Sequence, residues 1–492
     1  MSEQVNGASE TRQLRFAIIG AGMSGILTAI KLKEKGQTNF TIYEKADRLG
    51  GTWRDNTYPG LSCDVPSQLY SYSFELNAEW THRFSPGAEI WDYFNTVAEK
   101  YDVLPAIKFN KEIVRAEYHD GQWHLQCQDG ETDTVDIVIS ATGVLRDPVF
   151  PNIDGLDSFS GAQFHSARWD HDVPLDGKRV GIIGNGSTGV QIVTALADRV
   201  AKLSMFQRTA QWVLPMPNPS YSDEEKAEWR QAPEKLRQSY DHWSLRFANT
   251  FARAVIGDND ELQRIADACQ ANLDDNVRDP DLKRRLTPDY KVACKRLIMS
   301  DVFYDAIQKP SAELVTDAIE RIEPNGVRTS DGRLHELDVL VLATGFDGHK
   351  FMRPMALIGQ NGLTLEEAWA ENVEAYRSVA LPGFPNFFTL VGPNSPIGNF
   401  SLIQISEMQL AYVMQLVDQV LTGACRAIAP RRDATDRFNA DIRDAMKDTI
   451  WVSGCRSWYL DKNGNPAMWP WSFDRFKDEM AAPVLADFEL TA

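Results

Sequence analysis

Apolar residues recur along this chain with two periods. Short continuous runs of strand length alternate with longer stretches in which apolar positions return every three or four residues. Residues 14–19 (LRFAII) alternate and then become continuously apolar, the pattern of a strand covered on both faces. Gly20-Ala-Gly22-Met-Ser-Gly25 follows, and then Ile26, Leu27, Ala29, Ile30 and Leu32 at helical spacing. A second strand at 40–43 ends in Glu44. The whole order then repeats. Residues 178–183 (KRVGII) form a strand, Gly184-Asn-Gly186-Ser187-Thr188-Gly189 a turn, Val190 to Leu196 a helix, and 202–206 a second strand. Two more buried strands, 136–140 (DIVIS) and 338–342 (DVLVL), each close on Ala-Thr-Gly, at 141–143 and 343–345. The expectation is an α/β protein with two Rossmann-like units and paired crossover points between them.

Each glycine turn has a chemical reading. Gly20 permits the tight turn, Gly22 lets the backbone approach a pyrophosphate, and Gly25 lets helix and strand pack closely. Phosphates then sit on the helix N-terminus, where free N–H groups and the helix dipole favour negative charge. Glu44 lies 24 residues past Gly20, where an acid can hydrogen-bond a bare ribose. Arg48-Leu-Gly50-Gly51-Thr52-Trp53 follows directly and offers a second close backbone approach to the same ligand. The second unit, with Gly184, Gly186, Ser187, Thr188 and Gly189 in its turn, has no acid after its second strand. Gln207-Arg208-Thr209 stands there, and an arginine accommodates a 2′-phosphate. The first unit therefore reads as an FAD site and the second as an NADPH site, together a flavoprotein that takes hydride from a pyridine nucleotide.

Composition narrows the picture. At 492 residues the chain is too long for one core, so two or three folding units are expected. A formal charge of −18 argues against nucleic acid or an anionic membrane as the main partner. No apolar run approaches the ~18 residues of a membrane span. Residues 1–13 are polar and read as a flexible tail without a secretory signal, which implies a cytoplasmic protein. The six cysteines are dispersed with no C-x-x-C pair, so free buried thiols are expected, with no metal site and no redox dithiol.

A more specific pattern lies between the units. Phe159-Ser-Gly161-Ala-Gln-Phe-His165-Ser-Ala-Arg-Trp169-Asp170 resembles the F-x-G-x-x-x-H-x-x-x-W-[P/D] fingerprint of the flavin-containing Baeyer–Villiger monooxygenases, class B flavoprotein monooxygenases, and the glycine motifs occur in that family's order. On residue chemistry alone His165 could be a base. The resemblance implies instead that Phe159, Gly161, His165, Trp169 and Asp170 form a linker that responds to cofactor binding. It implies an FAD domain at 14–145 and 346–492, interrupted by an NADPH domain at 146–345 that carries a helical insertion at about 217–295. The charged, amphipathic run after Ser222 and Glu225, a capping-box pair, fits such an insertion.

The resemblance also assigns a site. Cys294-Lys295-Arg296 matches the family's Lys-Arg pair, and Tyr58-Pro-Gly60-Leu-Ser-Cys-Asp64 matches the segment of its companion aspartate. Arg296 would face the flavin, Asp64 would orient it as a bidentate pair, and Lys295 would join Arg208 and Thr209 on the NADPH phosphate. Gly51, Thr52, Trp53 and Asp64 would complete the FAD site. The implied activity is insertion of an oxygen atom from O2 beside a ketone carbonyl through a flavin C4a-peroxide, giving an ester or lactone. A peroxide anion calls for a fixed cation in a dry pocket, and arginine stays charged at any relevant pH. Oxygenation of sulfides or amines is the nearest alternative, and reduction or oxidation without oxygen insertion is the next. A disulfide reductase would need the dithiol that the sequence lacks. The loop at 392–399 would lie beneath the flavin ring, and the long, mostly apolar run after it reads on its own spacing as a helix at 402–421 ended by Gly423, while Trp458 is a candidate for the pocket wall. Linear, cyclic, aryl and steroid ketones all accord with the resemblance.

Overall fold

The computed structural model describes residues 13–461 and 463–492, so the expected tail lies outside the described residues except for Gln13. The continuous apolar runs become the centres of two parallel sheets. In the first, Phe387–Thr389, Ile137–Ser140, Phe16–Ile19, Phe40–Tyr43 and Ile107–Lys108 lie side by side in that order. Every residue of its three central strands is buried, which is why they read as unbroken rather than alternating. In the second, the order is Ala312–Val315, Lys202–Phe206, Arg179–Ile183, Val339–Leu342 and Ala162–His165. Helices Met23–Glu34 and Ser187–Leu196 leave the two glycine turns.

The first unit is discontinuous, because the chain returns to its sheet with Phe387–Thr389 after completing the second. Asn386 secures this return. Its side chain is 1% exposed; it donates to the Asp136 and Arg426 carbonyls at 3.2 and 3.1 Å and accepts from the Ile428 N–H at 3.0 Å. Helix Leu402–Leu421 then packs on Met23–Glu34, with Ser406 Oγ 2.8 Å from Ser24 Oγ. The insertion in the second unit is a run of helices, Asp223–Gln231, Pro233–Asn249, Phe251–Val255, Asn259–Asn276 and Pro280–Leu286. Its first helix carries the capping box expected at Ser222 and Glu225.

One segment is more ordered than its sequence suggests, and one expectation needs correction. The segment read as a linker is ordered into the second sheet: Ala162–His165 is an edge strand paired with Val339–Leu342, and Ser166–Arg168 is a 3-10 turn. Its short alternating run was hidden by the motif around it. The cysteines are not all free. Cys294 and Cys455, 161 residues apart, are joined by a disulfide with a Cα–Cα distance of 6.2 Å, while Cys63, Cys127, Cys269 and Cys425 are buried free thiols. No local spacing signals a bridge between segments that only the tertiary fold brings together.

His165 ends the edge strand at 2% exposure, and its Nδ1 accepts the Ala167 N–H at 3.1 Å. Burial, reinforced by the Arg168 charge, pushes its pKa down from 6.5 to about 4. The unfolded chain therefore binds this proton at a higher pH than the fold does. The stabilisation from the neutral ring is complete above about pH 6.5 and drains away as pH falls toward 4. His165→Asn, whose Oδ1 can replace Nδ1 as acceptor, should flatten the decline of Tm over that interval. Asn386→Ala should lower the stability read from urea unfolding by about 1–3 kcal/mol, because it removes three hydrogen bonds to the backbone and leaves the buried Ile428 N–H without that acceptor.

Candidate active site

Backbone geometry brings the two glycine turns to one cavity. Gly20 turns at φ +104°, and a Cβ there would stand 2.6 Å from the Ala141 carbonyl oxygen; Gly184 turns at φ +115°, with its Cβ position 2.2 Å from the Ala343 oxygen. Each Ala-Thr-Gly thus lies against the turn of its own sheet. The Cβ position of Gly186 meets no atom within 4 Å, and that of Gly22 meets only Gly51, with its Cα at 3.7 Å. Both second glycines therefore leave an open approach for a phosphate, and Gly51 of the following motif faces Gly22 as a second glycine surface. A cavity of about 1310 Å³ runs between the two turns. It exceeds the ~300–1,000 Å³ of a site for one drug-sized molecule and suits two dinucleotides.

Charges divide the cavity. At the first turn Glu44 is 4% exposed, with Oε2 accepting the Ala21 N–H at 2.8 Å and Oε1 the Ala46 N–H at 2.9 Å. Arg54, equally buried and unremarked in the sequence, pairs with Oε1 at 3.0 Å. A carboxylate has about four acceptor positions, so Oε2 keeps one free for a ribose hydroxyl. Thr52 and Trp53 start the short helix Thr52–Asp55 and line the cavity, with Trp53 Nε1 donating to Tyr70 Oη at 3.0 Å. At the second turn Ser187 and Thr188 open the helix, and Arg208 is exposed on the cavity wall with Thr209 beside it. Asn185 Nδ2 fixes that segment through Gln207 Oε1 at 2.9 Å and the Thr209 carbonyl at 2.7 Å. Lys295 lies with Nζ 4.4 Å from the Tyr290 ring centre. Burial holds its pKa below the ordinary lysine value, and the Arg208 charge adds to this against the pull of Asp289. Two cations that disfavour each other make a place for an anion with more than one charge.

Between these ends sits Arg296. Its Nη2 pairs with Asp64 Oδ2, and its Nη1 donates to the Gly398 carbonyl at 2.8 Å. The bidentate pair expected with Asp64 is not what forms. The guanidinium fork is split between the carboxylate and the backbone of the 392–399 loop, because Gly398 approaches the second amino group. Burial opposes the arginine's charge, and the Asp64 carboxylate more than offsets it, so the pKa stands above its ordinary value. The Asp64 segment is tied to the second unit at its own turn: Tyr58 Oη donates to Gln191 Oε1 at 2.9 Å, and the Cβ position of Gly60 is 2.5 Å from the Gln191 carbonyl oxygen.

The fingerprint residues stand apart. Phe159, Gly161, His165, Trp169 and Asp170 do not line this cavity; His165 stands behind Phe346, which does, with the ring centres 6.1 Å apart. Phe164 and Trp169 pack edge to face at 4.9 Å, and the Cβ position of Gly161 is 2.4 Å from the Asp338 oxygen, holding the edge strand to the sheet. Trp451 and Trp469 are core residues, whereas Trp458 lines the cavity, its carbonyl 2.8 Å from His349 Nε2.

Comparison with known proteins agrees with this geometry. The flavin-binding monooxygenase-like family matches residues 13–221. An uncharacterised monooxygenase of Mycobacterium tuberculosis is 50% identical over 93% of this chain and 92% of its own length. A Baeyer–Villiger monooxygenase of Streptomyces coelicolor is 39% identical over 97% of this chain and 92% of its own. The crystal structure of cyclohexanone monooxygenase from Rhodococcus bound to NADP+ superposes with a TM-score of 0.87 at 28% identity, covering 97% of this chain and 99% of that one. Among the described residues no helix is long and apolar enough to cross a membrane. With two dinucleotide turns opening on one cavity and relatives of this kind along nearly its whole length, the chain belongs to the Baeyer–Villiger monooxygenases, FAD- and NADPH-dependent enzymes.

Proposed function

We propose that this enzyme converts a ketone and O2 into an ester or lactone at the expense of NADPH, with Arg296 as the fixed cation of the reaction. The observation that carries this reading is the Arg296 guanidinium held between Asp64 and the Gly398 carbonyl in the cavity that joins the two glycine turns. FAD, when bound, supplies the passage of electrons from NADPH to O2 and the activated oxygen. The chain's own part is to bind, orient and shield. Gly20, Gly22, Gly25 and Glu44, with Gly51, Thr52, Trp53 and Asp64, would hold FAD in a unit spanning 14–145 and 346–492. Gly184, Gly186, Ser187, Thr188, Gly189, Arg208, Thr209 and Lys295 would hold NADPH in the unit spanning 146–345.

Arg296 stabilises negative charge on oxygen where it develops, and because Asp64 and Gly398 already fix it, no reorganisation is needed at that moment. The raised pKa keeps the cation present across the working pH range. The Phe159–Asp170 segment, packed at the edge of the second sheet, would transmit the position of that sheet rather than move protons. We place the enzyme in the cytoplasm, where NADPH is made.

Arg296→Ala should lower ester formation ~10²–10³-fold, while anaerobic NADPH still bleaches the protein's yellow colour. Unchanged ester formation would remove Arg296 from the chemistry. Arg208→Ala should raise the KM for NADPH at least about tenfold and leave that for NADH within about twofold, as loss of a charge-assisted phosphate contact requires. Equal effects on both nucleotides would contradict the 2′-phosphate assignment.

A further inference from the structure

The 451–471 segment reaches the catalytic arginine from the far end of the chain. Tyr459 is 1% exposed, and its hydroxyl is buried without a hydrogen-bond partner. A Cβ placed on Gly398 would lie 2.7 Å from Arg296 Nη1 and 2.9 Å from Tyr459 Oη, so these two atoms bracket a single backbone position. The guanidinium has five N–H donors and needs acceptors. Asp64 and the Gly398 carbonyl are two. The Tyr459 oxygen, near the same Gly398 position as Nη1 and hydrogen-bonded to no other group among the described residues, is available as a third. Burial raises the Tyr459 pKa, against the pull of the Arg296 charge, so the hydroxyl stays protonated and adds no second negative charge beside Asp64.

The rest of the segment fixes this hydroxyl. The Tyr459 ring lies 4.6 Å from that of Trp458 and 5.7 Å from that of Trp451. Its N–H donates to Ser457 Oγ at 3.2 Å, and its carbonyl accepts from the Ala467 N–H at 2.8 Å. Cys455, four residues before Tyr459, is bonded to Cys294, two residues before Arg296. Ala293, buried in the left-handed region at φ 63°, turns the chain into that short run. Both partners of the contact therefore sit on segments joined covalently close by.

We propose that Tyr459 is a positioning residue: its hydroxyl oxygen is the acceptor that sets where the Arg296 guanidinium lies between Asp64 and Gly398. It acts through the arginine, since the buried hydroxyl is closed off from the cavity. This rests on the oxygen-inserting role proposed for Arg296 and goes beyond it in naming what aims the charge.

The test compares wild type, Tyr459→Phe, Arg296→Lys and the double variant as holoenzymes. Tyr459→Phe should keep its yellow colour and its Tm, because the hydroxyl has no other partner to lose. Its kcat for oxygenated product should fall about fivefold with KM within about twofold, and more hydrogen peroxide should be released per NADPH oxidised. In the Arg296→Lys background the same change should have no further effect. Equal losses in both backgrounds, an unaltered kcat and peroxide yield, or a lowered Tm that accounts for the loss would overturn the proposal. Peroxide release per NADPH without ketone, measured on the same four proteins, keeps the test separate from the ketone reading. A wild type that makes no ester defeats that reading, and the peroxide ratios still decide the role of Tyr459.

Discussion

A guanidinium partly withdrawn from water is best held by a carboxylate beside it, and the half-buried Arg296–Asp64 pair is the constraint on which the site's arrangement turns. Even partial desolvation of one charge alone is unfavourable, and removing one partner would leave the other half-buried and unpaired. The two residues and Gly398 come from segments far apart in sequence. They can meet only if both parallel sheets form and face each other across the cavity, and if the chain returns to the first sheet through Asn386 and Phe387–Thr389. The Tyr58–Gly60 turn, packed on Gln191, carries Asp64 to the seam of the two units. The charge pair is thus a product of the whole fold.

Around that centre the cavity separates charge along its length. Glu44, steadied by Arg54 and two backbone N–H groups, offers an acceptor where a bare ribose would lie. Arg208 and Lys295 offer positive charge where a ribose phosphate would lie, and burial, with a smaller contribution from the Arg208 charge, holds the Lys295 pKa below its ordinary value. Arg296 stands between them with its charge held by geometry. One cavity can in this way keep two chemically similar nucleotides in order and leave a fixed cation where their reactive rings would meet.

Much of this was legible in the sequence because close approach leaves few choices of residue. At Gly20 and Gly184 the backbone turns through positive φ against a carbonyl oxygen, so glycine is required and the turn announces itself. Buried parallel strands appear as unbroken apolar runs, and the helix Leu402–Leu421 was readable to the residue from its spacing and the glycine that follows it. What was missed depends on tertiary contact. The Cys294–Cys455 bridge spans 161 residues, and the split of the Arg296 fork depends on where one carbonyl happens to lie. Arg54 looks like any surface charge until Glu44 folds over it. The antiparallel strands Ile113–His119, Gln122–Cys127 and Thr132–Val135 are half exposed and polar, so their weak alternation gave no comparable signal.

Isotope tracing reaches the central claim most directly. The purified enzyme, reduced with NADPH in the absence of air, would be mixed with a ketone and oxygen-18 gas, and the product weighed by mass spectrometry. If the cavity brings nicotinamide, flavin and Arg296 together as described, each NADPH consumed places one labelled oxygen atom in the ester. Should all the label leave as hydrogen peroxide or water while the ketone is recovered unchanged, the arrangement described here does not perform this chemistry.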